Sequence, residues 1–216
     1  MNQKYILLFL FSLALNNDFS INTSRPGSYN PTSVVNMNIH QIELGLNQNS
    51  DDRYMWMFYR YGIHGNGELQ MTFSPDNFIF GYMYGNIKYA NNLEGSIIVS
   101  VENDLPQKIS DTNLYFPISY SINNSLTFNA QLGIHSDSDS QYSYAIALSK
   151  SFKQKYSVFL EFYGNTNSAI LDNYFDFGFT YLTSGNMQFD ISAGVFITET
   201  KILEKYFLEL GFSFYL

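Results

Sequence analysis

From about residue 35 onward the chain alternates apolar and polar side chains one by one, in runs of about ten to fourteen residues broken by turns. A period of two puts successive side chains on opposite faces of an extended strand, so such a chain is confined to β-sheets with one greasy face. In Met187-Gln188-Phe189-Asp190-Ile191-Ser192-Ala193-Gly194-Val195 the odd positions are apolar and the even ones polar or Gly. Phe175, Phe177, Phe179 and Tyr181 alternate with Tyr174, Asp176, Gly178 and Thr180, and Leu126 to His135 follows the same rule. Twelve segments read this way: 35–48, 53–63, 66–74, 77–90, 94–103, 112–122, 124–135, 141–152, 155–164, 173–183, 186–198 and 203–216. In 112–122, Pro117 removes one ladder hydrogen bond. No segment carries a 3.6-residue period over helical length.

The greasy face must be covered by a second sheet or by lipid. A soluble sandwich uses strands of about 5–6 residues, whereas a tilted membrane strand needs about 9–11. Here the runs are long, the apolar face is rich in Phe, Tyr and Leu, and Tyr or Phe marks many segment ends, as aromatic girdles do. The opposite face is Gly, Ser, Thr, Asn and Gln with scattered carboxylates. The expected fold is therefore all-β: a transmembrane antiparallel up-and-down β-barrel of about 12 strands. In lipid every backbone polar group must be paired, so the sheet must close without an edge. The closing stretch "YFLELGFSFYL", apolar at alternate positions to Leu216, is expected to pair with the first strand and to present the signal that barrel-assembly machinery reads.

Composition excludes several classes. Charged residues are only 14% of the chain, net charge is −8, and 18 Tyr and 20 Phe make it unusually aromatic. An acidic chain does not neutralise phosphates, so no nucleic acid is expected as partner. No cysteine is present, which removes disulfides, thiolate nucleophiles and Cys-bound metals. "MNQKYILLFLFSLAL" has one Lys and an apolar run to Leu15, too short for a membrane helix but suited to a secretory signal. The organisation read from this is a signal peptide over 1–20, cleaved between Leu15 and Ser24, an N-terminal segment over 21–34 and a barrel over 35–216. The turns agree in part: "HGN", "NNLE", "NN", "KQK" and "SGN" are short, whereas "DLPQKISD", "SDSDSQ" and "NTNSAILD" are longer and polar, as when one barrel end faces outward.

Several stretches resemble the outer-membrane transporter family labelled "MetA-pathway of phenol degradation" proteins. "SRPGSYNPTSVVNMNIHQIELGL" is similar to that family's opening, with Arg25, Pro26, Gln41, Glu43 and Gly45 at its marked positions. "YRYGIHGNGELQMTF" resembles its second hairpin through Arg60, Tyr61, Gly62, Glu68 and Leu69; "GNIKYA" (85–90) and Pro106 resemble later positions, and the last three segments its closing rhythm. Gly27 departs from the pattern, where an acidic residue is expected after Arg-Pro. The resemblance implies an exported barrel in the outer membrane of a Gram-negative bacterium, set in outer-membrane lipid and passing a small-molecule solute. It fixes no particular solute.

By parity the inward, lumen- or pore-lining side chains are Gln41, Glu43, Glu68, Gln70, Glu102, Gln131, Glu161, Asp176, Gln188, Asp190 and Glu209, with Arg60 and Lys88 as inward cations. Buried charge must pair or stay wet. One reading has Glu43 and Glu68 paired with Arg60 or Lys88 in a structural network; another has surplus carboxylates biasing passage toward cations. Twelve strands fall between filled small barrels and open sixteen-stranded ones, so a narrow or partly plugged pore is expected.

His40, His64 and His135 lie on distant segments without metal-ligand spacing, so no metal and no cofactor is expected. His135 with Asp137, Asp139 and Ser143 has the residue types of a hydrolase, but "HSDSDSQ" reads more simply as a solvated loop, and its Asp-Ser alternation is thin grounds for Ca²⁺. No enzyme is expected. The functional alternatives are a solute channel through a polar, acid-rich lumen and a non-conducting barrel, either a surface-interaction protein or a membrane-embedded hydrolase. A soluble exported sandwich remains as a third.

Overall fold

The computed structural model describes residues 21–216 apart from 51, 106–108, 137–140, 168–169, 185 and 198–201; for 109–110, 141, 167, 170–172, 184 and 202–204 it describes the backbone alone. The proposed signal peptide, Pro106, Asp137 and Asp139 thus lie outside the described residues.

The alternating runs become twelve strands: β1 (His40–Asn49), β2 (Arg53–His64), β3 (Gly67–Phe73), β4 (Asn77–Ala90), β5 (Leu93–Asp104), β6 (Ile109–Asn123), β7 (Leu126–Ser136), β8 (Gln141–Phe152), β9 (Tyr156–Asn167), β10 (Ile170–Ser184), β11 (Met187–Ile197) and β12 (Ile202–Tyr215). Each pairs antiparallel with its sequence neighbours, and β1 closes on β12 from Gln41 opposite Tyr215 to Asn49 opposite Phe207. The seam leaves no free edge, as the greasy last strand demands. At Pro117 the β5–β6 pairing lapses between Tyr115 opposite Ile98 and Ile118 opposite Gly95, then resumes in register.

Burial is the reverse of that in a water-soluble protein. Glu43, Arg60 and Glu68 are wholly buried. Leu132 is 66% exposed and Phe177 57%, among an outward belt that includes Val99, Ile134, Leu148, Leu160 and Leu210. An outward apolar belt is the pattern of a transmembrane β-barrel wall. Outward tyrosines stand toward its margins, Tyr120 and Tyr156 at the end bearing the chain termini, Tyr142 and Tyr206 at the opposite, loop end.

Two details differ from the sequence reading. The first strand begins at His40, not 35: Asn38 has φ 63°, and the Ile39 amide turns back to the Asn36 carbonyl, so the chain bends before entering the sheet. The loops read as longest are shorter, because β6 and β10 start at Ile109 and Ile170 and keep pairing beyond the alternating stretch.

Candidate functional site

Residues 21–36 have no period and so no place in the sheet; they run inside it. The segment rises past β11, β12 and β1, crosses to β9 and β7, and descends along β5, β4 and β3. A chain without strand partners must satisfy its amides elsewhere, and the inward side chains of the wall do this. Glu43 accepts the N–H groups of Ser24 (3.1 Å) and Arg25 (3.2 Å). Glu161 accepts from Ser28 (2.7 Å), the Gln131 side-chain oxygen from Asn30 (2.9 Å) and Glu68 from Val35 (2.6 Å). Gln188 donates to Thr23 Oγ1, and Ser96 to the Pro31 carbonyl. The lumen is thus crossed by a plug that the barrel's own carboxylates and amides hold.

Two arginines fasten it. Arg60, on β2, reaches Glu68 through Nε (2.6 Å) and a terminal nitrogen (2.9 Å), and Glu43 at 3.3 Å. It also donates to the carbonyls of Asn22 and Ser33, the feet of the rising and falling limbs, which are joined by Asn22 Nδ2 donating to Ser33 at 3.0 Å. Arg25 belongs to the plug itself. Its Nε and one terminal nitrogen donate to Asp190 (3.2 and 2.9 Å), and the other terminal nitrogen donates to Glu209 (2.9 Å). The guanidinium lies 4.5 Å from the Trp56 ring centroid, and Trp56 Nε1 donates to the same Glu209 oxygen at 2.8 Å. Burial alone would lower the Arg25 pKa; Glu209 and Asp190 outweigh it, and the net shift is upward.

Of the residues chosen by parity, Gln41, Glu43, Arg60, Glu68, Gln70, Gln131, Glu161, Asp176, Gln188 and Asp190 are buried in the lumen. Glu209 meets Arg25 there. Glu102 is half-buried apart from the plug, accepting from Asn77 (2.8 Å) and Asn113 (3.4 Å). Lys88 stands at the termini-end rim, exposed and opposite Glu94, and does not join the Arg60 network. A register shift in β4 around Asn86, at φ 56°, sets it on the face of Glu94, whose carboxylate meets Thr32 of the plug. Arg25 and Trp56 were not chosen. The signal for Arg25 was a charge imbalance: many inward carboxylates stand against Arg60 alone, and Arg25 is the one Arg or Lys in residues 21–52.

Cavities remain on both sides of the plug. One of about 450 Å³ at the termini end is lined by Thr23, Ser149, Ser157, Glu161 and Thr180. One of about 620 Å³ at the loop end is lined by Tyr54, Trp56, Tyr163, Tyr174, Asp176 and Glu209. A smaller one of about 210 Å³ lies beside Asn30, Phe58 and Tyr115. Among the described residues no group of three or more His, Asp or Glu is disposed to hold a metal ion.

The barrel has counterparts among solved structures. The KdgM porin superposes with a TM-score of 0.66 at 10% identity, over 81% of this chain and 98% of that one; it is also known in complex with disordered oligogalacturonate. The NanC porin gives 0.66 at 10% identity, over 82% of this chain and 100% of its own. The CymD monoaromatic hydrocarbon channel gives 0.50 at 6% identity, over 84% and 88%. At these identities the likeness is one of fold. No protein-family model and no curated protein matches the chain.

Proposed function

We propose that the chain is an outer-membrane channel for small solutes, closed in the observed conformation by its own residues 21–36. The observation that carries this reading is the plug between two solvent-sized vestibules, held by side-chain contacts rather than by strand pairing. A lumen built only for stability would be filled by wall side chains; here a separable segment fills it, and displacing that segment would join the vestibules. The porin-like fold, the lipid-facing belt and the resemblance to the MetA-pathway transporters support the same reading. On it, the buried polar set from Gln41 to Glu209 lines the route once the plug moves, Lys88 stands at its termini-end mouth, and β12 serves assembly. The acid-rich lumen favours cations over anions.

Conductance across planar lipid bilayers tests this. A variant lacking residues 21–34 should conduct more than the intact chain. If neither conducts while both show the heat-modifiable gel band of a folded barrel, the channel reading falls.

One observation favours the alternative hydrolase. His135 Nδ1 lies 2.8 Å from Asn113 Oδ1 and Nε2 lies 2.8 Å from Ser143 Oγ. With Nδ1–H donating to Asn113, Nε2 is left to accept from the serine, the order of a nucleophile, a base and an orienting group. The setting weighs against catalysis: Ser143 Oγ packs on the backbone of Gly133, and the strand amides around it are engaged in the β7–β8 ladder rather than free to stabilise an oxyanion. Labelling of Ser143 by a fluorophosphonate would reverse this preference.

A further inference from the structure

Glu161 on β9 and Asp176 on β10 are direct register partners, both inward and both buried, at 1% and 2% exposure. Residues so paired hold their Cβ atoms about 4.5–5.5 Å apart, where two like charges oppose each other. Among the described residues no hydrogen-bond donor reaches Glu161 Oε1 or Asp176 Oδ1. Arg25 is engaged by Asp190 and Glu209, and Arg60 by Glu43 and Glu68, so neither guanidinium serves this pair. A buried carboxylate without a partner is costly, and this pair stands at the partition of the lumen: Glu161 lines the termini-end cavity and Asp176 the loop-end one.

Aromatic side chains surround Asp176. Tyr163 and Tyr174 stack at 5.0 Å between centroids with planes 9° apart, and Phe196 lies against Tyr174 at 4.9 Å. Trp56 and Tyr54 form the facing wall. Gly194 makes the room: a Cβ there would collide with the Phe207 ring, which turns into the lumen beside Asp176. Lys205 lines the same cavity at its rim, where it is exposed. The molecule already shows what such a lining accepts, since the Arg25 guanidinium lies over Trp56 with carboxylates at its edge.

We propose that the loop-end vestibule is a binding site for small organic cations, an ammonium group carried on an aromatic or apolar body, with Asp176 taking the charge, Glu161 behind it adding to the negative field, and the Tyr163–Tyr174–Phe196 wall taking the body. Ring faces attract cations and shed neutral water poorly matched to them, while a lone inorganic ion would leave the aromatic wall unused. The proposal deepens the channel reading by naming its solute class, and it rests on that reading for the site's role in passage but not for binding.

Trp56 is the chain's single tryptophan and lines the cavity, so its fluorescence reports occupancy. Detergent-folded protein would be titrated with phenethylammonium, its neutral analogue 2-phenylethanol and the anion phenylacetate. The cation should bind at least about tenfold more tightly than the alcohol, and phenylacetate more weakly still. Asp176→Asn, which keeps the shape and removes a repelling charge, should stay folded by its heat-modifiable band and lose the preference. Asp76→Asn, the same charge change on an exposed turn residue, should keep it. Equal binding of the three probes, or an unchanged preference in Asp176→Asn, overturns the proposal. Bilayer conductance is scored separately: binding without conductance sinks the channel and leaves the site, and conductance without binding does the opposite.

Discussion

Arg60 and Glu68 form a two-point ion pair with neither side chain exposed, and the Glu68 oxygen bonded at 2.9 Å also receives the Val35 amide at 2.6 Å. One carboxylate thereby ties wall to wall and wall to plug. Removing it strands a buried guanidinium whose other partner, Glu43, is farther off at 3.3 Å. Glu68→Ala should cost about 3 kcal/mol of barrel stability, the low end of the cost of breaking a buried pair. Glu68→Gln, which still accepts a hydrogen bond, should cost less. Urea unfolding from lipid vesicles, followed by Trp56 emission, measures both.

Arg25 makes no ladder contact, so its loss should spare the wall and loosen the plug. Arg25→Ala is expected to raise bilayer conductance above that of the intact chain while the folded band on unheated gels persists. Unchanged conductance would mean that the amide contacts to Glu43 and Glu161 hold the plug by themselves.

Glycine sites separate plug from wall with a smaller change. A Cβ on Gly211 would occupy the space of Arg25 Nε and Asp190 Oδ1, whereas one on Gly65 meets nothing within 4 Å. Gly211→Ala should therefore reproduce the conductance of Arg25→Ala. Gly65→Ala should change neither conductance nor stability beyond about 0.5 kcal/mol.

The outward belt makes a prediction that only a membrane-embedded barrel satisfies. Leu132 lies midway along β7 and is 66% exposed. Leu132→Arg should destabilise the protein by about 2–4 kcal/mol in bilayers, as a cation at the bilayer midplane does. In water a surface leucine replaced by arginine would be nearly neutral. Guanidinium unfolding from vesicles decides between them.

The strands were legible because an apolar outer face and a polar lumen impose strict alternation, as in Met187–Val195 and Leu126–His135. Parity turns Glu43, Arg60, Glu68, Asp176 and Asp190 inward, and the structure buries all five, since nothing in their strands shifts the phase at those positions. Lys88 lies where β4 carries register shifts that period-two counting passes over, and they set it opposite Glu94 at the rim. The plug was least legible. Its segment is fixed by contacts such as Arg25 with Asp190 and Glu209, spanning 165 and 184 positions, and no local pattern encodes partners so remote. Only the unmatched inward carboxylates hinted that a cation had to come from elsewhere.

Those long spans also tie the plug to the seam of the barrel. Closing a contact between distant positions costs chain entropy that grows with their separation. Asp190 and Glu209 lie on β11 and β12, the strands that bring the sheet round to β1, whereas Arg25 lies 165 and 184 positions earlier. The same two strands that complete the cylinder therefore complete the fastening of its interior. Without β12 the molecule would lack both its seam and its Glu209 clasp, so sealing of the wall and seating of the plug depend on one and the same strand.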